Sequence, residues 1–227
     1  IMASPGRTAD NGGSSETGGC LALIHSPKAR TRRLLRLLRQ REGVPPSERA
    51  AFDREVLRAL GRPRAVVFTD TADFTIRSVR DGILHFMMSF TAAAGQAARV
   101  VAERGGEVVK MEGDSLLLRF DAVAAACRAV RDLEALLRRF NRGRAENERV
   151  RFSYGIGYGV VIDLEADLFG LEVNLASKLG EDLARPGEAL LTPGAVAALD
   201  GRWRARLTPH GSLRLVDQVI EVQRLRL

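Results

Sequence analysis

The stretch EVVKMEGDSLLLRF, from Glu107 to Phe120, places a Lys, a Glu and an Asp around a single glycine between two apolar runs. Short apolar runs separated by a tight turn that contains glycine are typical of a β-hairpin. Gly113 allows such a turn because it has no side chain to clash, and Asp114 follows it directly. The stretch therefore predicts two adjacent strands whose connection carries charged side chains.

Helix and strand patterns alternate on both sides of this hairpin. Strands are predicted over residues 65–68, 151–161, 189–192, 204–207, 213–216 and 220–225. Helices are predicted over residues 81–104, 121–139, 173–184 and 193–199. Strands interleaved with helices, with neighbouring strands joined tightly, favour an α/β (α+β) sandwich in which helices pack on a mixed sheet.

The N-terminal part of the chain has a different character. Residues 1–19 are rich in Gly, Ser and Thr and show no hydrophobic period, which predicts a disordered tail or an expression remnant. Residues 20–62 are predicted to form a helical segment, with an amphipathic helix over 27–40 and a second helix, capped by Ser47, that runs to about Leu60. Residues 63–227 are predicted to form the functional domain.

Composition argues against several classes of protein. No stretch approaches 18 uninterrupted apolar residues, so no transmembrane segment is expected, and the first residues lack a signal-peptide pattern. Cys20 and Cys127 are the two cysteines of the chain and make neither a disulfide framework nor a zinc knuckle. This cysteine usage fits a cytoplasmic protein.

The positive charge is concentrated in one segment. The net charge is +7, and residues 28–41 contain seven basic residues and no acidic one, so the rest of the chain is formally neutral. A high isoelectric point that comes from one helix does not indicate a nucleic-acid partner, and none is expected. The favoured interpretation is a docked helix with a solvated basic face. A regulatory or partner-binding role is one alternative, and a role at a membrane surface or on nucleic acid is another.

Two aspartates stand at the ends of predicted strands. Asp70 follows the buried strand of VVFTDTADFT, and Asp114 lies in the hairpin turn. Each alone is most simply a turn residue. If their strands are neighbours, the two carboxylates face each other at the sheet edge and repel unless a cation lies between them. Hard oxygen ligands of this kind suit Mg²⁺ or Mn²⁺, and the backbone N–H groups of residues 71–75 can bind phosphate.

Four separated motifs now point to a family. The stretches FTDTADFT, GGEVVKMEGDSLL, YGIGYG and DLFGLEVNLASKL occur in the order and spacing of the class III adenylate and guanylate cyclase catalytic domain, which the chain resembles over about residues 64–225. The resemblance implies a βαββαβ ferredoxin-like core with extra terminal strands. It also implies a head-to-tail homodimer whose active sites lie at the interface and use both subunits.

The resemblance assigns the phosphate and metal residues as follows. Asp70 and Asp114, with Thr71, match positions that hold two Mg²⁺ or Mn²⁺ ions per site. Phe74 and Thr75 fall in the substrate-binding segment that follows the first strand.

The remaining matches concern the nucleoside and the transferring phosphate. Lys110 and Asp167 match the two base-reading positions, and a Lys donor with an Asp acceptor complements N1 and the 6-amino group of adenine. Asn174 matches the residue that orients the ribose. Lys178, four residues further on the same helix face, matches the cation that stabilises charge on the transferring phosphate.

The sequence departs from the family pattern at several places. Lys178 stands where most members have Arg, whose planar fork binds phosphate more directionally. Asp73 stands where Gly is usual, and it is expected to repel ATP, recruit a cation or cap the next helix. The connection over residues 160–170 is short for an arm used in dimerisation, and Arg214 is a weak match for a later phosphate-binding Lys. Glu112 is expected to point away from Lys110.

The sequence therefore predicts an adenylate cyclase that converts ATP to 3′,5′-cyclic AMP and pyrophosphate as a homodimer. Two alternatives remain. One is a weak or inactive cyclase-like module that binds nucleotide and regulates a partner, which Lys178 and Asp73 favour. The other is a cyclase that acts on a different nucleotide.

Overall fold

The computed structural model describes residues 29–216 and 218–227. The predicted tail over residues 1–19, the start of the N-terminal segment and Cys20 lie outside the described residues. The strands are β1 Gly61–Thr71, β2 Gly106–Glu112, β3 Ser115–Phe120, β4 Phe152–Asp163, β5 Leu168–Phe169, β6 Ala189–Leu191, β7 Leu207–Leu215 and β8 Gln218–Leu225. The helices are α1 Ala29–Glu42, α2 Arg49–Leu60, α3 Phe74–Arg80, α4 Ile83–Glu103, α5 Val123–Phe140, α6 Leu171–Lys178, α7 Pro193–Ala197 and α8 Gly201–Arg204.

The strands form one mixed sheet in the order β2-β3-β1-β4-β6-β8-β7, with β5 paired to β4. Every pair within β2-β3-β1-β4 is antiparallel, whereas β4 and β6 run parallel. The segment from β1 to β4, with its intervening helices, is the βαββαβ arrangement expected for a ferredoxin-like core. The predicted fold class and the extra terminal strands are therefore confirmed.

Successive side chains of β1 point to opposite faces of the sheet. Val67 points into the main core, where it meets α4 and α5 side chains such as Phe90 and Leu133. Val66 points to the opposite face and packs with Ala176 of α6. Helices α4 and α5 thus cover one face, and α6 covers the centre of the other.

Several element boundaries differ from the prediction. Strand β1 is longer than residues 65–68 because its first residues pair with β4, Gly61 lying opposite Ile162. The helix predicted over 81–104 is preceded by α3, and Gly82, with φ 88°, separates the two. The helix predicted over 173–184 begins at Leu171 and passes into a π-helical turn, Leu179–Leu183, after α6 ends.

Two local predictions were wrong. Ser47 does not cap α2, because Glu48 occupies the N-cap position without a side-chain hydrogen bond. The strand predicted over 204–207 begins only at Leu207, the first residue of β7, because Arg204 ends α8 and a turn follows. Helix α8 begins where the Asp200 carboxylate accepts a hydrogen bond from the Trp203 amide at 3.0 Å.

The N-terminal helices form a small hairpin beside the sheet. Helix α1 has no buried residue, and Arg41 joins it to Asp53 of α2 through two hydrogen bonds of 2.6 and 2.8 Å. Among the described residues, no helix is both long enough and apolar enough to cross a membrane.

Candidate active site

The C-terminal end of β1 and the β2–β3 turn meet at one edge of the sheet. Strands β1 and β3 are antiparallel neighbours, with Thr69 opposite Leu116, so Asp70 and Asp114 come to the same edge as predicted. The Thr71 hydroxyl is buried and donates a hydrogen bond of 2.6 Å to the Asp114 carbonyl oxygen. This bond fixes the turn against β1 and engages the Thr71 side chain.

The two carboxyl groups lie in an environment that disfavours negative charge. Burial, followed by the charges of Asp114, Glu181 and Asp182, raises the pKa of Asp70 from 3.8 to about 6. Burial also raises the pKa of Asp114. Within the described chain, neither carboxylate forms an ion pair with a Lys or Arg side chain. Two neighbouring carboxylates repel each other unless a proton or a cation neutralises them. Because no Lys or Arg side chain of the described residues pairs with them, the cation would have to come from solution.

A cavity of about 420 Å³ opens beside these carboxylates. Its lining residues are Asp70, Thr71, Asp73, Phe74, Thr75, Ile76 and Asp114. The structure thus brings together the predicted metal residues and the predicted phosphate-binding segment. A slightly larger cavity of about 460 Å³ beside α5 contains none of the predicted site residues.

The donor set fits a magnesium or manganese ion that is shared with a nucleotide. No group of three or more His, Cys, Asp or Glu side chains capable of holding a metal occurs in the described ranges. Mg²⁺ is usually bound by only one or two carboxylates and completes its shell with water and substrate phosphates. Asp70 and Asp114 are therefore sufficient side-chain ligands.

Asp73 adopts a backbone conformation that glycine prefers. Its φ of 64° is left-handed, and its exposed side chain makes no capping hydrogen bond to α3. Of the three alternatives for Asp73, capping by its side chain is therefore wrong, although the residue occupies the N-cap position. Its carboxylate lines the cavity instead, where it adds negative charge.

The two predicted base-reading residues contact each other, although they lie 57 positions apart. Lys110 donates from Nζ to the Asp167 carboxylate at 3.1 Å and to Glu112 Oε2 at 2.8 Å. The expectation that Glu112 points away was wrong, because residues two apart on a strand share a face. The hydrogen bonds that Lys110 donates to Glu112 and to Asp167 raise the pKa of Lys110 against its partial burial. Lys110 therefore remains charged and can act as a donor.

Helix α6 carries the remaining predicted residues and lies unusually close to β4. A Cβ at Gly155 would overlap the main-chain carbonyl of Ala176, so the glycine permits this approach. Ser153 of β4 donates to the Gly180 carbonyl at 2.8 Å, and Glu172 accepts from the Tyr158 amide at 3.0 Å. These contacts fix the start of α6 and the π-helical turn after it against the sheet.

Asn174 and Lys178 are both exposed on α6. Asn174 makes no side-chain hydrogen bond in the described chain. Lys178 Nζ forms an ion pair with Asp182 Oδ2 at 3.0 Å. No described contact joins Asn174 or Lys110 to Asp70, so a single chain presents two groups of site residues rather than one closed site.

Three partners of the site residues were missed by sequence reasoning. Glu172 holds α6 in place, Glu112 binds Lys110, and Asp182 binds Lys178. The spacing of four between Lys178 and Asp182 is a detectable helix signal. Glu172 gives no local signal, because its acceptor role depends on β4 and on the Thr192 hydroxyl that donates to it at 2.7 Å. Arg214 lies on β7, at the far edge of the sheet from β2.

Comparison with solved structures places this fold among nucleotide cyclase catalytic domains. The adenylate/guanylate cyclase/hydrolase from Silicibacter pomeroyi superposes with a TM-score of 0.61 at 24% identity, covering 73% of this chain and 96% of that chain. The guanylate cyclase domain of RhGC from Catenaria anguillulae, solved in complex with GTP, has a TM-score of 0.63 at 17% identity and covers 72% and 96% of the two chains. The resemblance to class III cyclases is thereby confirmed at the level of the fold.

Sequence comparison gives a shorter match. The curated protein "Putative adenylate cyclase 3" from Rhizobium meliloti (strain 1021) is 31% identical over 96 residues, which are 42% of this chain. The match spans about 15% of that protein's length. No protein-family model matches the chain.

Proposed function

We propose that the chain is an adenylate cyclase that forms 3′,5′-cyclic AMP and pyrophosphate from ATP at sites shared by two copies. The observation that carries this proposal is the pairing of Lys110 with Asp167 on a cyclase fold whose sheet edge holds two unpaired carboxylates. The fold supports a nucleotide cyclisation. The Lys110–Asp167 pair supports ATP as the substrate, and the Asp70–Asp114 pair supports metal-assisted chemistry.

The choice of ATP rests on hydrogen-bond complementarity. Lys110 is a donor and Asp167 is an acceptor, which match N1 and the 6-amino group of adenine. Guanine presents a donor and an acceptor in the reverse order along that edge. On binding, adenine would replace the Lys110–Asp167 contact with two contacts of its own, while Glu112 would keep Lys110 oriented.

The reaction is an in-line displacement at the α-phosphorus. A bond forms between the ribose 3′-oxygen and the α-phosphorus, the bond to the pyrophosphate oxygen breaks, and the 3′-hydroxyl releases its proton to water. When bound at Asp70 and Asp114, two Mg²⁺ or Mn²⁺ ions would lower the pKa of that hydroxyl and neutralise the phosphates. Backbone N–H groups of residues 73–75 bind the triphosphate, because the Ala72 amide already donates to the Arg151 carbonyl at 3.0 Å. Asn174 orients the ribose, and Lys178 stabilises charge that develops on the phosphate.

A site shared by two copies is supported because no described contact within one copy joins Asp70 or Asp114 to Lys110, Asp167 or Asn174. Exposed apolar side chains occur in the strands and helix that carry or adjoin the Lys110–Asp167 pair: Val160 and Leu171 are 59% and 58% exposed, and Met111 and Phe169 about half. Apolar side chains in this number beside a polar site are typical of an interface. The arrangement supports a homodimer that covers them and brings Asp70 of one copy towards Asn174 of the other.

One observation favours a second candidate function. The Lys178 ammonium is paired with Asp182, which weakens its charge towards a phosphate unless the pair opens. A chain in which the pair stayed closed would bind nucleotide with little turnover and would act as a regulatory module.

Product analysis distinguishes these functions. The purified chain is incubated with ATP, GTP, CTP or UTP, each with Mg²⁺ or Mn²⁺, and the products are identified by mass spectrometry. We expect 3′,5′-cyclic AMP from ATP, and a loss of at least about a thousandfold in rate for Asp114→Asn with the fold intact, because a ligand to the metal is lost. Cyclic GMP as the main product would refute the base assignment, and the absence of any cyclic nucleotide would favour the regulatory module.

A further inference from the structure

The first turn of α1 is bound to a single carboxylate of the catalytic domain. Glu165 accepts hydrogen bonds from the Arg30 amide at 2.7 Å, the Thr31 amide at 3.3 Å and the Thr31 hydroxyl at 3.1 Å. These bonds, the amide of Arg30 first, lower the pKa of Glu165, so the carboxylate stays ionised. An ionised carboxylate at this end of a helix is also favoured by the helix dipole.

Glu165 lies in the turn that presents Asp167. The Leu164 amide donates to the Asp167 carbonyl at 2.9 Å and closes the turn. The Leu168 amide donates to Asp167 Oδ1 at 2.8 Å, which leaves Oδ2 for Lys110. The orientation of the base-reading carboxylate therefore depends on the geometry of this four-residue turn.

The turn is anchored on its other side by a buried ion-pair network. Asp163, at the end of β4, is buried and binds both Arg64, at 2.8 Å, and Arg119. The base of the turn is thus fixed to the sheet, whereas its tip at Glu165 is fixed to α1. Movement of α1 can therefore reach Asp167 through that tip.

Helix α1 is suited to transmit such movement. It has no buried residue, although Leu34 and Leu37 are partly buried. Its polar contacts with the rest of the chain include those to Glu165, the hydrogen bond from the Arg30 guanidinium to the Leu60 carbonyl at 2.8 Å, and the ion pair of Arg41 with Asp53. Elements with few buried apolar contacts open at low free energy.

We propose that Glu165 is a positioning residue that couples the docking of α1 to the orientation of Asp167, and so to the choice of nucleobase. This inference rests on the proposed function, since it assigns Glu165 a role at the same base-reading site. When α1 is docked, the turn holds Asp167 as the acceptor that selects adenine. When α1 leaves, the turn loosens and the selection of adenine over guanine falls.

The test compares changes on both sides of the contact. Glu165→Ala removes the acceptor, Thr31→Val removes one of the three donors from a residue of α1, and the double variant combines the two. Asp53→Ala is the matched control, because it removes the other carboxylate that holds α1 without touching the turn. Glu165→Gln retains one carbonyl acceptor and serves as the conservative variant.

The first readout needs no nucleotide. Hydrogen exchange of the Leu164 and Leu168 amides is measured by NMR, and we expect it to be about fivefold faster in Glu165→Ala, as for the loss of about one net hydrogen bond. The second readout is the ratio of kcat/KM for ATP to that for GTP. It should fall about fivefold in Glu165→Ala, less in Thr31→Val and Glu165→Gln, and no further in the double variant than in Glu165→Ala.

The outcomes separate this inference from the proposed function. Unchanged exchange, or faster exchange with an unchanged ATP/GTP ratio, would overturn the positioning role, because a purely structural contact lowers both rates equally. The positioning role would also be overturned if Asp53→Ala changed the amide exchange rates and the ATP/GTP ratio as much as Glu165→Ala does. If the chain cyclises no nucleotide, the ratio of ATP to GTP dissociation constants from calorimetry replaces the kinetic ratio, with the same expected change and the same refutation.

Discussion

Asp70→Asn should stabilise the metal-free protein while abolishing activity. Folding raises the pKa of Asp70 from 3.8 to about 6, so the folded state disfavours the ionised carboxylate. A difference of about 2 pH units corresponds to about 3 kcal/mol at about 1.4 kcal/mol per unit. Asp70 is only half-buried, and screening by water reduces this to about 1.5 kcal/mol. Asparagine has the same shape but no charge, and therefore avoids this penalty.

The sign of the effect fixes its pH dependence. A group whose pKa is raised by folding gives its full stability below the unfolded value, near 3.8, and loses it as the pH rises through about 6. The increase in the free energy of unfolding caused by Asp70→Asn is therefore complete at pH 7.5 and about half as large at pH 5.0. The free energy of unfolding is measured by urea denaturation in EDTA at both pH values. The control is Asp132→Asn, a partly exposed residue of α5 whose carboxylate is paired with Arg104.

Two results would refute this reasoning. Asp70→Asn could prove no more stable than wild type at pH 7.5, or its advantage could be independent of pH. Either result would mean that the Asp70 carboxylate does not lie in an environment that disfavours its negative charge. Adding Mn²⁺ should in turn stabilise wild type, by about 1.4 kcal/mol at ten times the dissociation constant, and leave Asp70→Asn unchanged.

Three further substitutions test single residues. Lys178→Ala should lower kcat by roughly 10²–10³ with little change in the apparent ATP affinity, and a wild-type kcat at saturating ATP and Mn²⁺ would exclude Lys178 as the transition-state cation. Asp73→Gly should raise thermal stability by relieving a left-handed backbone that costs about 1 kcal/mol, and lower the KM for ATP by removing a negative charge; an increase in KM would show that Asp73 binds a cation. Lys110→Glu should shift the ATP/GTP ratio of kcat/KM towards GTP by at least about tenfold, and an unchanged ratio would remove Lys110 from base recognition.

The hairpin and the core were predictable because their signals are local. Gly113 adopts a φ of 60° in the predicted turn, and the apolar residues on either side pair as β2 and β3. The start of β1 was not predictable from its own residues, because the charged sequence after Gly61 becomes a strand only by pairing with β4. For α8 a usable signal existed, since Asp200 is a good helix cap, but the following basic residues do not show a periodic pattern.

Some contacts of the site residues were likewise predictable from the local sequence, whereas others depend on the tertiary fold. Asp70 and Asp114 were predicted to meet because each ends a strand, and the order of the strands then brings them together. The contact between Lys110 and Asp167 was suggested only by family resemblance, since 57 residues separate them. The binding of Glu165 to α1 could not be predicted, because it depends on how an amphipathic helix with no buried residue lies against a turn.

The most direct test of a shared adenylate cyclase site is complementation between two inactive chains. Asp70→Ala removes a metal ligand and Asn174→Ala removes the ribose contact, so each homodimer should be inactive. In a mixed dimer one of the two sites contains only intact residues. An equal mixture that exchanges freely should therefore regain about a quarter of the wild-type rate of cyclic AMP formation. No recovery, in a mixture whose mixed dimers are confirmed by native mass spectrometry, would contradict a site built from two copies.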